Sequence, residues 1–169
     1  MDGKLSMSGR IAAATAQDLV TQPTPEQLAS IRTAIGSGNK PFEAGPAGYA
    51  EKLLGLQVGE DLFSAGLGPV YGLPDLAGLS WKVVPKNFPV DTNGRIAAAQ
   101  AERTGKNVTP AELERIKAAL TTEKPFPVEQ IETGQDLVGL KVGGSEHFAV
   151  KQFGYGPNDP ATWSWKAVP

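Results

Sequence analysis

Large apolar residues recur at helical spacing in two stretches of the chain, and both stretches follow the same start signal. In each stretch they stand three or four positions apart, which places them on one face of a helix. They are Leu28, Ile31 and Ile35 in the first stretch and Leu113, Ile116 and Leu120 in the second. A Thr-Pro pair precedes each stretch, and Gln27 or Glu112 follows three positions after the threonine. We therefore predict two helices, each with an N-cap at Thr24 or Thr109 and a capping box.

An alanine-rich run precedes each of these helices. Ser8 could cap the first run and Asp91 the second, and Ile11 and Ile96 are large apolar residues within them. The first run is predicted to end at Gln22-Pro23 and the second at Gly105 and Asn107. We interpret both runs as helices, so that each pairs with the capped helix after it as a helical hairpin.

The composition changes after Gly36 and after Thr121 to glycine, proline, valine and aromatic residues, and the helical spacing disappears. Short apolar runs between turn-forming residues are typical of strands. The predicted strands are residues 53–58, 70–71 and 79–84 and, later, residues 137–142, 147–153 and 163–168. We therefore predict an α+β fold in which each unit is a helical hairpin followed by a small antiparallel β-sheet.

These two sets of elements are copies of one sequence. Residues 9–14 recur unchanged as residues 94–99, and residues 80–85 recur with one change as residues 164–169. When Asn39 is left unpaired, about 30 of roughly 76 aligned positions are identical, against roughly five expected from composition. A copy of this length is a small domain rather than a solenoid repeat. We predict two tandem domains, 1–86 and 87–169, packed as a pseudo-dimer because each is near the lower limit for a self-sufficient core.

Charge and composition narrow the classes of partner. The 169 residues carry a net charge of −2, which favours neither nucleic acid nor an anionic membrane as partner. The chain has no cysteine, and no apolar run approaches the roughly 20 residues of a membrane span. Because residues 1–4 lack the apolar core of a signal peptide, we expect a cytoplasmic or virion protein.

The sequence offers few groups for catalysis or metal binding. The single histidine, His147, stands close to Ser145 and Glu146, yet alternation along a strand would place Glu146 on the opposite face from the other two. Its counterpart in the first copy is Phe63, so we interpret His147 as a structural strand residue. The adjacent acids Glu60 and Asp61 are interpreted as a solvated turn. We predict no catalytic residue, no metal site and no cofactor.

Aromatic residues at repeated positions are the candidates for partner binding. The candidates are Trp81 and Trp165, Tyr71 and Tyr155, which are two repeated pairs, and Trp163, which stands two positions before Trp165. Residues two apart on a strand face the same side, so the two neighbouring tryptophans could form an aromatic patch. The alternative is that Trp81 and Trp165 anchor the core of each copy.

Three hypotheses about function follow. The leading one is a non-enzymatic structural protein of a large assembly, such as a virion head-decoration or minor capsid protein, with protein partners. The second is a two-site carbohydrate- or peptide-binding module that uses the repeated aromatic positions. The third is an enzyme, which would need a cleft between the halves. His147 is the one catalytic candidate that the sequence offers for such a cleft.

Overall fold

The computed structural model describes residues 5–47, 51–67, 75–132, 135–152 and 159–169. These residues form an α+β fold with four α-helices and two antiparallel sheets. The helices are α1 (Met7–Ala16), α2 (Pro25–Gly36), α3 (Thr92–Glu102) and α4 (Pro110–Ala119). The strands are β1 (Phe42–Ala47), β2 (Glu51–Val58), β3 (Asp61–Leu67), β4 (Lys82–Val84), β5 (Lys106–Asn107), β6 (Phe126–Glu132), β7 (Gln135–Val142), β8 (Ser145–Gln152) and β9 (Lys166–Ala167).

Side-chain caps fix the starts of the helices. The capping boxes predicted at Thr24 and Thr109 are both confirmed, because each threonine accepts a hydrogen bond from the third backbone N–H of its helix and the residue there accepts one in return. The predicted cap at Asp91 is also confirmed, since its carboxylate accepts from the N–H of Gly94 at 2.8 Å. The cap of α1 is Ser6 instead of Ser8, so this helix begins earlier than predicted.

The two alanine-rich helices end earlier than their sequences indicated. Just beyond α1 and α3, Asp18 and Arg103 adopt the left-handed conformation, each with φ of 56°. A left-handed residue closes a helix end, and it is usually glycine or asparagine. Because an aspartate and an arginine take this role here, the predicted ends at Gln22-Pro23 and at Gly105 and Asn107 were wrong.

The two sheets have the same strand order. The first is β1-β2-β3-β4, and the second is β5-β9-β8-β7-β6, which is the same order with one short strand added beside β9. The added β5 has a counterpart in the first half, where Thr21 makes an isolated bridge to Val83. The register also agrees, since Phe42 pairs with Gly55 and Phe126 pairs with Gly139.

The observed strands differ from the predicted ones in extent. Residues 53–58 and 137–142 are confirmed as parts of β2 and β7. The strands predicted at 79–84 and 163–168 shorten to β4 and β9, because short 3-10 turns at Leu76–Gly78 and Pro160–Thr162 stand just before them. Residues 70–71 lie outside the described ranges. The strands β1, β3, β5 and β6 were missed; β1 and β6 contain proline and lie at sheet edges, where proline is tolerated.

The two helices of each half pack on opposite faces of a sheet, so the predicted helical hairpin was wrong. Ile11 of α1 packs in one cluster with Leu62, whereas Ile31 of α2 packs in another with Phe63. Neighbouring residues of a strand face opposite sides, so these clusters lie on opposite faces of β3. In the second half, α3 and α4 are separated in the same way by the clusters that contain Leu137 and Val138. Both faces of each sheet are apolar, and each face needs its own cover.

The halves contact one another mainly through α1 and α3. Two long polar side chains make reciprocal contacts across this junction. Glu102 of α3 accepts a hydrogen bond from the backbone N–H of Ser6 at 2.8 Å. Gln17, its counterpart after α1, accepts one from the backbone N–H of Asp91 at 3.3 Å. Each half therefore binds the residue that caps the first helix of the other half.

Candidate functional site: an aromatic surface, an ion pair and a cavity beside α3

The two repeated tryptophans lie in the core. Trp81 is 2% exposed and Trp165 is 3% exposed. Each indole N–H donates to a backbone carbonyl five residues earlier, from Trp81 to Leu76 at 2.9 Å and from Trp165 to Pro160 at 2.8 Å. These bonds fasten the 3-10 turn to the strand that follows it. The burial favours the interpretation of both residues as core anchors and leaves their rings almost no surface for a partner.

Trp163 lies at the edge of the same cluster and is only partly buried. Its ring centroid is 5.9 Å from that of Trp165, with the two planes at 32°. The buried ring therefore supports the partly exposed one, an arrangement that holds an aromatic side chain in place at a surface. In the first half the equivalent residue is Leu79. The other predicted pair, Tyr71 and Tyr155, lies outside the described residues.

The structure separates the three side chains around His147. His147 is 3% exposed and lies in the core, and its Nδ1 has no hydrogen-bond partner among the described residues. Burial lowers its pKa, and so does the positive charge of Arg115, while Glu112 and the backbone of Lys166 act in the opposite direction. Ser145 is exposed at the start of β8, and Glu146 takes part in an ion pair. The three do not form a nucleophile, base and orienting group.

That ion pair is a feature that sequence reasoning missed. Arg95 of α3 donates from Nε and Nη2 to the two carboxylate oxygens of Glu146, both at 2.7 Å, and from Nη1 to the carbonyl of Val90 at 2.7 Å. The hydrogen bond from Arg95 lowers the pKa of Glu146, and the same bond raises the pKa of Arg95. The first half keeps the arginine as Arg10 but has Leu62 in place of the glutamate. The sequence did contain a signal for this ion pair, because the second copy has a carboxylate where the first has an apolar residue, and both copies keep the arginine.

The acidic pair Glu60 and Asp61 lies near the cationic side chain of Lys86. Lys86 Nζ is 3.6 Å from a carboxylate oxygen of Glu60 and 3.9 Å from one of Asp61. The side chains of all three are largely exposed, so these contacts are weak. Across the described ranges, no three histidine, aspartate or glutamate side chains come together as a metal-binding group.

A cavity of about 300 Å³ lies against α3 in the second half. Its lining comes from α3, from the segment before that helix, from the end of the chain and from Leu5, which precedes α1 in the first half. Among the lining residues are Val90, Ala98, Ala99, Glu102, Thr104 and Val168. This cavity was not predicted from the sequence, because it arises where the two copies differ. Thr104 stands where the first half has Leu19, and Glu102 stands where it has Gln17.

Comparison with known proteins does not place the chain in a family. Within the described ranges, every helix falls short of the length and apolar character that a membrane span requires. No family model, no curated protein and no solved structure matches the chain.

Proposed function

We propose that the protein is a non-enzymatic structural protein of a large assembly, such as a virion head-decoration or minor capsid protein, and that it acts through protein partners. The observation that carries this proposal is Trp163, an aromatic side chain at the surface that rests on the buried ring of Trp165. Aromatic residues that are held in place and partly exposed are typical anchors of protein interfaces. The proposed location is a virion or another assembly in the cytoplasm.

The arrangement of the halves supports a building-block role. We propose that domains 1–86 and 87–169 pack as a pseudo-dimer. In a two-fold pair, a contact from one partner to the other is repeated in the opposite direction. The bonds from Ser6 to Glu102 and from Asp91 to Gln17 have this reciprocal character. A duplicated unit offers an assembly two related surfaces from one chain.

The non-enzymatic part of the proposal rests on how the titratable candidates are used. His147 lies in the core, and the carboxylate of Glu146 is already held by two hydrogen bonds from Arg95. Catalytic acids and bases must reach a substrate, within hydrogen-bond distance or through one water. The only histidine of the chain is buried where the first half has a phenylalanine, which indicates a packing role.

The test compares wild-type protein with Trp163→Leu, which introduces the first-half residue and so preserves an apolar side chain at the cluster edge. The native assembly that contains the protein is purified, imaged by electron microscopy and used in co-sedimentation. We expect Trp163→Leu to bind at least tenfold more weakly, because a central aromatic anchor contributes about 2 kcal/mol or more. The matched control is Ser164→Ala at the exposed neighbouring position, which should bind like wild type.

Two results would overturn the proposal. Undiminished binding by Trp163→Leu removes Trp163 as the anchor. A turnover that disappears in His147→Phe, while this variant folds normally, shows that the protein is an enzyme. Binding of a soluble oligosaccharide or peptide that depends on Trp163, without any assembly, would favour the second hypothesis of a binding module.

A further inference from the structure

The cavity beside α3 has a filled counterpart in the first half. There, Phe88 packs against the cluster that contains Ala14 and Val84. The equivalents of those two residues, Ala99 and Val168, line the cavity. In the first half, Phe88 therefore covers the two residues whose equivalents line the open cavity in the second half.

Three large apolar residues that pack in the first-half cluster have counterparts of another kind in the repeat. Leu19 becomes Thr104 and Leu62 becomes Glu146, while the repeat register pairs Phe88 with Gly3, which has no side chain and lies outside the described residues. Leu19, Leu62 and Phe88 all pack in the first-half cluster. Among the described residues of the second half, no side chain occupies the cavity.

The wall of the cavity is held firmly in spite of this loss. Arg95 lines the cavity and is fixed by its two bonds to Glu146 and by its bond to the carbonyl of Val90. An open apolar site with a fixed wall needs little rearrangement to bind a ligand, which favours affinity. Its volume of about 300 Å³ is at the lower end for ligand pockets, whereas an apolar cavity of about 150 Å³ already holds benzene.

The first half also shows how the segment that carries the phenylalanine is held. Gln17 donates from Nε2 to the carbonyl of Pro89 at 2.9 Å and accepts from the N–H of Asp91. These two hydrogen bonds hold the backbone just after Phe88 in place. Glu102 lines the cavity at the equivalent place. Its Oε2 accepts from Ser6, and its Oε1 accepts no hydrogen bond from the described residues. This oxygen is suited to an N–H donor of an incoming segment.

We propose that this cavity is a second binding site, which takes a phenylalanine-like aromatic side chain presented on an extended segment of a partner protein. The ring would lie against Ala99 and Val168, and a backbone N–H of the segment would donate to Glu102. The site is separate from Trp163, and the proposal does not depend on the function proposed above.

The probe is a capped peptide with the sequence of residues 84–90, Val-Pro-Lys-Asn-Phe-Pro-Val, added to the full chain. Phe88 already occupies the equivalent position in the first half, so we expect the peptide to bind in the cavity beside α3. We expect NMR shift changes centred on Ala98, Ala99 and Thr104. A peptide with alanine in place of its phenylalanine should bind at least tenfold more weakly, because the ring supplies most of the apolar area buried.

Thr104→Trp should reduce binding of the peptide at least tenfold, because its ring is larger than the leucine that packs beside Phe88 in the first half and would itself fill the cavity. The matched control is Thr33→Trp on the exposed face of α2, which should bind like wild type. The proposal is overturned by absence of binding at millimolar peptide, by equal binding of the alanine peptide, or by unchanged binding in Thr104→Trp. Trp163→Leu should leave peptide binding unchanged, so the two sites can fail separately.

Discussion

Strands β3 and β8 occupy the same place in their sheets, yet Ala65 and Ala149 are the one identical pair among their aligned residues. Leu62, Phe63 and Ser64 in the first half correspond to Glu146, His147 and Phe148 in the second. The backbone register is nevertheless the same, since Leu56 pairs with Phe63 and Leu140 pairs with His147. Register depends on the main-chain bonds and on the alternation of buried faces. The side chains were therefore able to change while the strand stayed in place.

The replacements are compensated by neighbouring residues to different degrees. The large Phe148 is accompanied by Gly105, where a Cβ would lie 2.5 Å from the phenylalanine ring, and the small Ser64 is accompanied by Val20. This exchange keeps the total volume nearly constant, which cores tolerate best. The change from Leu19 to Thr104 is not compensated by a larger side chain among the described neighbours, so it contributes to the cavity. Divergence between the copies thus produced both a repacked core and an open site.

The largest expected effect tests whether the halves share equivalent cores. Trp81→Ala and Trp165→Ala should each lower the free energy of unfolding by about 3–5 kcal/mol, because each removes a buried indole and its hydrogen bond to a carbonyl. Urea unfolding followed by circular dichroism measures this loss. Trp163→Ala is the control and should cost clearly less, because its ring is partly exposed. An unchanged midpoint in only one of the two core variants would show that the cores are not equivalent.

A smaller effect tests the close approach of helix and sheet in each half. A Cβ on Gly139 would lie 2.5 Å from the ring of Phe126 and 2.6 Å from Ile96 Cδ1, and Gly55 is crowded by the equivalent residues Phe42 and Ile11. Gly55→Ala and Gly139→Ala should therefore each destabilise the protein by about 1–3 kcal/mol through overpacking.

The matched control for these glycines is Gly144→Ala, because a Cβ there meets nothing within 4 Å. Its stability should stay close to that of wild type in thermal unfolding. Equal stability of Gly139→Ala and Gly144→Ala would mean that α3 does not approach the sheet as closely as the structure shows.

The smallest effect concerns pH, and it should belong to the second half alone. The pKa of Glu146 is lowered from 4.5 by the bond from Arg95, so its stabilisation is present above pH 4.5 and is lost as the pH falls through its folded value. The pKa of His147 is lowered from 6.5 by burial, so its contribution is present above pH 6.5 and decreases on acidification. Both groups should make the protein less stable in acid.

The variant that tests this combines Glu146→Leu with His147→Phe, which gives β8 the β3 residues at these two positions. The loss of unfolding free energy between pH 7 and pH 4 should shrink by about 1 kcal/mol, a small figure because Arg95 is partly exposed. Urea unfolding at several pH values measures the slope. Glu114→Gln, which affects an exposed pair with Lys117, is the control and should leave the slope unchanged. A slope as steep as that of wild type in the double variant would contradict the assignment.

The sequence by itself determined the duplication, the capped starts of α2 and α4, and the α+β class. These features depend on local signals: a threonine before a proline, apolar residues at helical spacing, and glycine or proline at turns. The identity of residues 9–14 and 94–99 also required that two helices begin alike. Local signals were weaker at the ends of α1 and α3, because Asp18 and Arg103 take a conformation that their residue types seldom adopt.

Only the tertiary structure decided how these elements cover one another. Ile11 and Ile31 each lie on an apolar face, but the sequence does not say that the two faces meet opposite sides of one sheet. The same holds for the pair of Arg95 with Glu146, which joins residues far apart in the chain. The cavity at Thr104 exists because the side chains around it come from separate segments, and their joint volume is fixed only when the chain is folded.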